Sequence, residues 1–447
     1  MQKKILAAAV AALCGIATTA TAQSTGGSKV ELWGIVDAAV RHTNNEGPAK
    51  KGLTKMVGGG MSQSRWGINV EEDLGGGSKA VAHLENRFNS DTGEKDATAP
   101  FFQLAYVGLQ GPYGRLTMGR QWNVLFDVVS STYASFPYSP YMDAYKPELG
   151  MAAGARTSNA LKYMLATPDR SWVGTIQYSF AEGNKSTSAE NAAVNLGSAL
   201  STTLGFGPSD AALPARVQGV QTALGNPSST IQGLQQYKDL TSAVSNSASG
   251  AYKTAGAFLR YSKDGISVGG GFLRSYLPGG SDLDAWTFGG SYRSGPLYLN
   301  AGYGLNKLKA EKFSGSTMGD FYRYLGRQNV DRALLNGWWQ GQTNGGFQSG
   351  DSNKRQMFKV GFGYQVTPQI NAGLHFYHAK QSGSVDGKSN GKANFLVALA
   401  NYTFSKRTDA YFGVDHTKVS GGSAMFIDSE NKARKRTGIT VGLRHRF

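Results

Sequence analysis

The chain has 447 residues, 46 of them basic and 30 acidic, and its net charge at pH 7 is +16. A single cysteine, Cys14, excludes a scaffold held together by internal disulfides. The basic residues are dispersed along the sequence, which argues against a protein that binds nucleic acid. Sixty glycines, 21 tyrosines and 21 phenylalanines, with only 13 prolines, favour many short strands separated by turns.

The first 22 residues have the pattern of a secretory signal peptide. Lys3 and Lys4 form a positive start, residues 5–16 form an apolar run, and residues 20–22 (Ala-Thr-Ala) form a cleavage site. The apolar run is too short to cross a bilayer as a helix. We therefore expect residues 1–22 to be removed. Cleavage would lower the 46 basic residues to 44 against 30 acidic ones, a net charge of +14, and would leave no cysteine.

After this segment the dominant pattern is alternation of apolar and polar residues. In residues 64–71, for example, Trp66, Ile68 and Val70 share one face of a predicted strand. The opposite face carries Arg65, Asn69 and Glu71. No run of 18 apolar residues follows the signal, but a membrane-spanning strand needs only about 9–11 residues that are apolar at alternate positions. A soluble β-sandwich would alternate in the same way, so alternation by itself leaves both architectures open.

The pattern predicts sixteen strands, an even number as a closed bacterial barrel requires. They are expected near 30–41, 64–74, 78–89, 101–110, 114–121, 156–166, 170–181, 250–263, 265–276, 284–294, 296–309, 355–366, 369–380, 393–405, 408–420 and 437–447.

The connections between these strands alternate between short and long. Short turns such as Asp264-Gly265 alternate with longer connecting segments. The longest of these segments lie near 122–155, 182–249 and 310–354. Transmembrane barrels show this alternation because their periplasmic turns are short and their extracellular loops are long. We therefore predict an all-β fold, a single antiparallel barrel over residues 23–447, in which the last strand, ending at Phe447, pairs with the first.

Several segments in this order resemble the general porin family of Gram-negative bacteria, in its β-proteobacterial branch. They are Val30 to Ala38, Ser64-Arg65-Trp66-Gly67, Glu72 to Gly77, Ala105 to Leu109, Met118-Gly119-Arg120-Gln121, Arg156-Thr157-Ser158-Asn159 and the C-terminal strand. The resemblance covers essentially the whole mature chain. It implies a homotrimer whose third long loop folds into each barrel and narrows it. It also implies wall arginines that face acidic residues on that loop.

The resemblance places Arg65, Arg120 and Arg156 on the pore wall, and the third loop offers Asp143 and Glu148 as the facing acids. Alternation also directs Arg65 and Arg156 to the lumen. Arg120 has the opposite parity and would need a β-bulge to re-aim it. Alternation further assigns the basic residues Arg87 and Lys162 and the acidic residues Glu71 and Glu85 to the lumen.

These features predict passive diffusion of small hydrophilic solutes and ions, with no catalytic residue, metal or cofactor. Pore diameter and lining charge would set the selectivity, and the basic excess favours anions. Expected partners are the outer membrane and its lipopolysaccharide, small ions and solutes, and two further copies of the chain, but not nucleic acid. Three alternatives remain: a substrate-selective porin for small carboxylates, a barrel that displays adhesive loops, and a barrel enzyme, for which no nucleophile–base cluster is found.

Overall fold

The computed structural model describes the chain from residue 27 to its C-terminus, with several gaps. The described ranges are 27–47, 51–95, 101–135, 148, 150–180, 253–276, 282–309, 354–383, 387, 390–423, 425–427 and 431–447. The predicted signal peptide and most of the predicted segments 182–249 and 310–354 lie outside these ranges, so those assignments stay predictions.

The described residues form antiparallel strands and one helix, α1 (Val124–Thr132). The strands are β1 (Lys29–Glu46), β2 (Lys51–Val57), β3 (Arg65–Gly75), β4 (Ser78–Arg87), β5 (Leu104–Gly111), β6 (Gly114–Trp122), β7 (Arg156–Ala166), β8 (Trp172–Ser179), β9 (Lys253–Lys263), β10 (Ile266–Tyr276), β11 (Asp282–Ser294), β12 (Leu297–Lys309), β13 (Lys354–Gln365), β14 (Ile370–Ser382), β15 (Gly391–Thr403), β16 (Thr408–Gly421) and β17 (Lys435–Arg446). Each strand from β3 onward pairs with the next, and β17 pairs with β1, so the sheet closes.

The seventeen described strands fill sixteen positions in the barrel because β2 and β3 share one position. The C-terminal half of β1, from Ala39 to Glu46, pairs with β2, whereas residues 29–35 of β1 pair with β3. The predicted strands 30–41 and 64–74 left residues 42–63 as a loop, which was wrong for β2 and for the end of β1. The prediction of a closed sixteen-position antiparallel barrel is confirmed.

Residues alternate between the two faces of the barrel wall, as strand β17 illustrates. Its outward residues Ile439, Val441 and Leu443 are exposed to 43%, 54% and 53%. The intervening Thr440 and Arg444 are buried on the inner side. An apolar outer face and a polar inner face are what a barrel in lipid requires, because lipid cannot solvate charges and water fills the lumen.

The first and last strands join at the C-terminus. Backbone N–H groups of Gly34 and Phe447 each donate to the other residue's carbonyl, both at 3.1 Å. The Phe447 ring occupies the space that a Cβ on Gly34 would need. The closed seam pairs backbone groups that would otherwise be left open in lipid, where no water can satisfy them.

The short turns use residues suited to tight reversals. Asp264 and Gly265 both have positive φ, 51° and 79°, as the two-residue hairpin between β9 and β10 requires. In the turn between β7 and β8, hydrogen bonds from Thr167 and Ser171 lower the pKa of Asp169 to about 2. Donors that bind the ionised carboxylate favour that form, which explains the direction of the shift.

Helix α1 begins the third long connection and lies inside the barrel, as predicted. The side chain of Asn123 caps it by accepting from the Phe126 N–H at 2.7 Å. Its apolar residues Val124, Leu125 and Val128 pack against the inner face of β9 and β10, at glycines whose missing side chains make room: Gly256, Gly269 and Gly271. Helix α1 therefore lies against the wall formed by β9 and β10.

Candidate functional site: the pore lining

A cluster of arginines surrounds one carboxylate on the inner wall formed by β3, β4 and β7. Glu85 is 3% exposed. Its oxygens lie 3.9 Å from Arg65 Nε, 3.9 Å from Arg87 Nε and 3.4 Å from Arg156 Nη2. Pairing in register places Arg65 opposite Arg87 on adjacent strands, so these like charges are held side by side. Among the described residues, three guanidinium groups thus lie within 4 Å of a single carboxylate.

Trp122 connects this cluster to the inward-folded connection. Arg156 Cζ lies 3.9 Å from the centre of the Trp122 ring, which is within cation–π range. The Trp122 ring also stacks on Phe126 of α1, with ring centres 4.3 Å apart and planes 22° apart. The Trp122 ring thus contacts both α1 and the Arg156 guanidinium.

Arg120 lies where the pairing of β6 and β7 is irregular. The register shifts between Gly119 and Gln121, and Asn159 on the partner strand has a positive φ of 54°. A bulge of this kind re-aims side chains. The Arg120 guanidinium donates to the Gln103 carbonyl at 3.0 Å and to Ser158 Oγ at 2.7 Å. These bonds fix Arg120 within the wall near Arg87, and not at Glu85.

Lys162 has a different partner from the wall arginines. Its Nζ donates to Asp127 of α1 at 2.7 Å and to the Trp122 carbonyl at 2.9 Å. Lys162 therefore holds the helix against β7. Glu71, the other predicted lumen acid, lies at the short-turn end of the wall, 3.1 Å from Lys79, and is about half exposed.

The two predicted loop acids have different outcomes. Asp143 lies outside the described residues. The sequence analysis set Glu148 against the wall arginines, but its buried carboxylate instead forms an ion pair with Lys359 of β13, across the barrel. It also accepts from the Ser135 N–H and hydroxyl, both at 2.8 Å. A buried carboxylate needs a cation nearby, because an unpaired buried charge is costly. Lys359 can supply it because its side chain points into the barrel, between the outward-facing Phe358 and Val360.

Lys359 is one of several inward charged residues that the sequence analysis did not select. A second group lies on β1, β16 and β17: Arg41 pairs with Asp415 at 2.7 Å, and Arg444 pairs with Asp409 at 2.9 Å. All four are buried on the inner face. The alternation in the sequence could have indicated these inward charged residues, because each lies on the same face of its strand as other polar residues.

The segment that separates β2 from β3, residues 58–64, turns into the barrel and is held there by Asp37. The Asp37 carboxylate accepts from the backbone N–H of Gly60, Met61 and Ser62 at 3.0, 3.2 and 2.7 Å. The hydroxyl of Tyr411 donates to the same carboxylate at 2.6 Å. This contact explains why β2 and β3 are separate strands at one barrel position.

In the described ranges, no helix is long and apolar enough to cross a membrane. The same residues contain no group of three or more His, Cys, Asp or Glu side chains that could hold a metal ion.

A closed barrel with an apolar exterior and a charged, partly obstructed interior defines a channel of the bacterial outer membrane. Comparison with known proteins gives the family. The profile of the Gram-negative porins matches residues 7–422, and the chain belongs to that family. It is an outer-membrane porin, which forms a channel across the outer membrane.

Individual relatives are more distant. An outer membrane porin protein of Bordetella pertussis is 26% identical over 474 residues, covering 100% of both chains. Outer membrane porin protein 32 of Delftia acidovorans is 33% identical over 174 residues, covering 36% of this chain and 45% of that one.

Solved structures share the fold. An anion-selective porin from Comamonas acidovorans matches 94% of this chain and 100% of its own, at 21% identity and a TM-score of 0.59. The trimer form of OmpT from Vibrio cholerae matches 94% of this chain and 100% of its own, at 11% identity and a TM-score of 0.56.

Proposed function

We propose that this porin is a homotrimeric diffusion channel that prefers anions. The observation that carries the preference is the cluster at Glu85, where Arg65, Arg87 and Arg156 surround one carboxylate. Arginine remains ionised at any relevant pH, so this charge is permanent. A permanent positive field on the wall of the lumen concentrates anions and repels cations. Asp143 and Glu148 were expected to oppose this field, but Glu148 is already neutralised by Lys359.

Two similarities support the proposal. The Comamonas acidovorans structure is described as an anion-selective porin, and it has the same fold. The trimer form of OmpT supports the trimeric state. The barrel spans about 425 residues after the expected cleavage, with a net charge of +14, and a positive chain is consistent with an anion channel.

The basic run near the C-terminus supports a further partner. The run lies at the long-loop end of β17, which is the extracellular end in such barrels. It consists of Lys432, Arg434, Lys435 and Arg436. Arg434 donates to the carbonyls of Gly421 and Gly422, which orders this corner. We include lipopolysaccharide phosphates as ligands of these side chains, since clustered cations at a membrane surface bind phosphate.

The test is the reversal potential of the purified protein in a planar bilayer under a KCl gradient. We expect a potential that favours chloride, and Arg65→Gln and Arg156→Gln should each reduce the chloride-to-potassium permeability ratio. The reduction should be roughly two- to fivefold, because one unit charge a few ångströms away in a wet pore is worth about 1 kcal/mol at most.

Arg407→Gln is the matched control. It removes the same charge from an exposed turn outside the lumen, and it should leave the ratio unchanged. A wild-type channel that favours potassium, or equal effects of all three variants, would contradict the proposed anion preference.

A further inference from the structure

A row of three aromatic rings lies on the inner wall next to the Glu85 cluster. Trp33 of β1 and His83 of β4 have ring centres 5.9 Å apart and planes 25° apart. The His83 and Tyr106 rings, the latter on β5, are 5.3 Å apart with planes at 19°. The three rings are therefore nearly parallel and continuous. Successive residues of each strand point to opposite faces of the wall, and the three rings lie at inward-facing positions. The neighbouring Val107 is exposed on the outer face.

The wall is built to hold these rings in one orientation. Gly67 of β3 stands between β1 and β4, and a Cβ there would be 2.9 Å from Cε2 and Cζ2 of Trp33. Only glycine lets the indole extend across β3 towards His83. The His83 ring is fixed in turn by a 2.6 Å hydrogen bond between its Nδ1 and Asn69 Oδ1. All three rings remain partly exposed, so the row is preformed and solutes in the lumen can reach it.

Cations border the row. Arg115 Cζ lies 5.8 Å from the centre of the Tyr106 ring, and its Nη2 donates to the Tyr106 hydroxyl at 3.3 Å. Glu85, Arg115 and Arg65 all interact electrostatically with the His83 ring, so two cations and one anion lie near it. His83 is one inward-facing position from Glu85 along β4, about 7 Å towards the short-turn end. A solute that passes the arginine cluster therefore meets the rings next.

We propose that this row, Trp33–His83–Tyr106 with Arg65 and Arg115 beside it, is a binding site for planar aromatic carboxylates. Flat rings attract one another in offset stacks, which a saturated ring cannot form as well. The arginines supply the charge-assisted hydrogen bonds that a carboxylate prefers. Neither feature alone would select this class: the arginines attract any anion, and the rings attract any flat solute. The inference rests on the proposed anion-preferring channel, because the ligand must first enter the lumen.

The test compares two anions matched in charge and approximate size, benzoate and cyclohexanecarboxylate. Chloride current through the purified protein is recorded in a planar bilayer, and each anion is added to find the concentration that halves this current. In the wild type we expect benzoate to act at a concentration at least three times lower than cyclohexanecarboxylate. In Trp33→Leu and in Tyr106→Leu the two concentrations should become equal, while Tyr106→Phe should keep the difference.

Trp172→Leu is the matched control, because Trp172 is exposed to 46% on the outer face of the barrel and its loss leaves the lumen unchanged. It should keep the threefold preference. The inference would be overturned if the two anions acted equally on the wild type, or if the preference survived both Trp33→Leu and Tyr106→Leu. In either case a chloride current would still support the proposed channel. The absence of chloride current would instead overturn the proposed function, and this inference with it. Variants are compared only as folded barrels, and two independent leucine variants keep the test decisive if one does not fold.

Discussion

Single residues with several partners determine the shape of the lumen. Asp37 is the clearest example, since its two carboxylate oxygens accept three backbone N–H groups of residues 58–64 and the Tyr411 hydroxyl. Without the carboxylate, these backbone N–H groups would lose their hydrogen-bond acceptor. A buried donor that makes no hydrogen bond lowers the stability of the folded state. Together with Arg444, which donates to Ser62 Oγ at 2.6 Å, this side chain of β1 holds the seven-residue segment inside the barrel.

Asp37→Asn should release this segment. An amide keeps the size of the carboxylate but replaces one acceptor oxygen with a donor, so we expect the free energy of unfolding to fall by about 1–3 kcal/mol. Limited proteolysis within residues 58–64 should become faster, and denaturant unfolding gives the free energy. Asp73→Asn is the control, because Asp73 is exposed and accepts from a single backbone N–H, that of Gly75. If both variants are equally stable and equally resistant to protease, Asp37 does not hold the segment.

At the scale of elements, the inward-folded connection is held at both of its described parts. Lys162 binds Asp127 of α1, and Lys359 binds Glu148 beyond it. Between them, Tyr133 packs on the inner face of β11 and β12, where Gly289 and Gly302 leave room for its ring. The helix itself is only nine residues long. Isolated helices of this length are marginal, so wall contacts supply most of its stability.

The Lys359–Glu148 pair gives a prediction about this element. Glu148→Gln leaves the buried Lys359 ammonium without its charged partner, which should cost on the order of 3–5 kcal/mol. We expect the connection to detach from the wall, with frequent brief closures in single-channel recordings. The double variant Glu148→Gln with Lys359→Met removes both charges and should be quieter than the single one. A single variant with an open-channel current as steady as the wild type would show that the pair does not anchor the connection.

For the whole molecule, closure of the sheet is the decisive feature. The described strands form a closed ring only because β1 pairs with β17, over the register from Ile35↔Arg446 to Thr43↔Gly438. The seam extends to the C-terminal residue through Gly34 and Phe447. An open edge within lipid would leave backbone groups unpaired at several kcal/mol each, on the order of the values for transfer to an apolar medium.

Gly34→Val should weaken this seam. The added side chain would meet the Phe447 ring, and overpacking of this kind costs about 1–3 kcal/mol. We expect the heat-induced shift in electrophoretic mobility, which marks barrel unfolding, to occur at a lower temperature than in the wild type. Gly174→Val on β8 is the control, since the atoms nearest its Cβ position are 3.7 Å away or more. Equal transition temperatures for the two variants would mean that the contact with Phe447 does not limit closure.

The sequence by itself determined the barrel. Alternation has a period of two because successive strand residues point to opposite faces, and this local rule gave the inward and outward residues of β17 and the even number of barrel positions. It also predicted inward positions for Arg65, Glu85, Arg87 and Arg156. Turn residues such as Asp264-Gly265 marked the reversals because their backbone conformations are local properties as well.

Only the tertiary structure decided which side chains meet. The partner of Glu148 was predicted from family resemblance as an arginine and is Lys359, because a long connection can bring its acid to either wall. The break between β2 and β3 was also hidden, since residues 58–64 have the composition of a loop and acquire their place through Asp37 and Tyr411. The aromatic row depends on Gly67, which lets a ring on β1 reach one on β4. Pairings of this kind join residues far apart in sequence, and local periodicity carries no information about them.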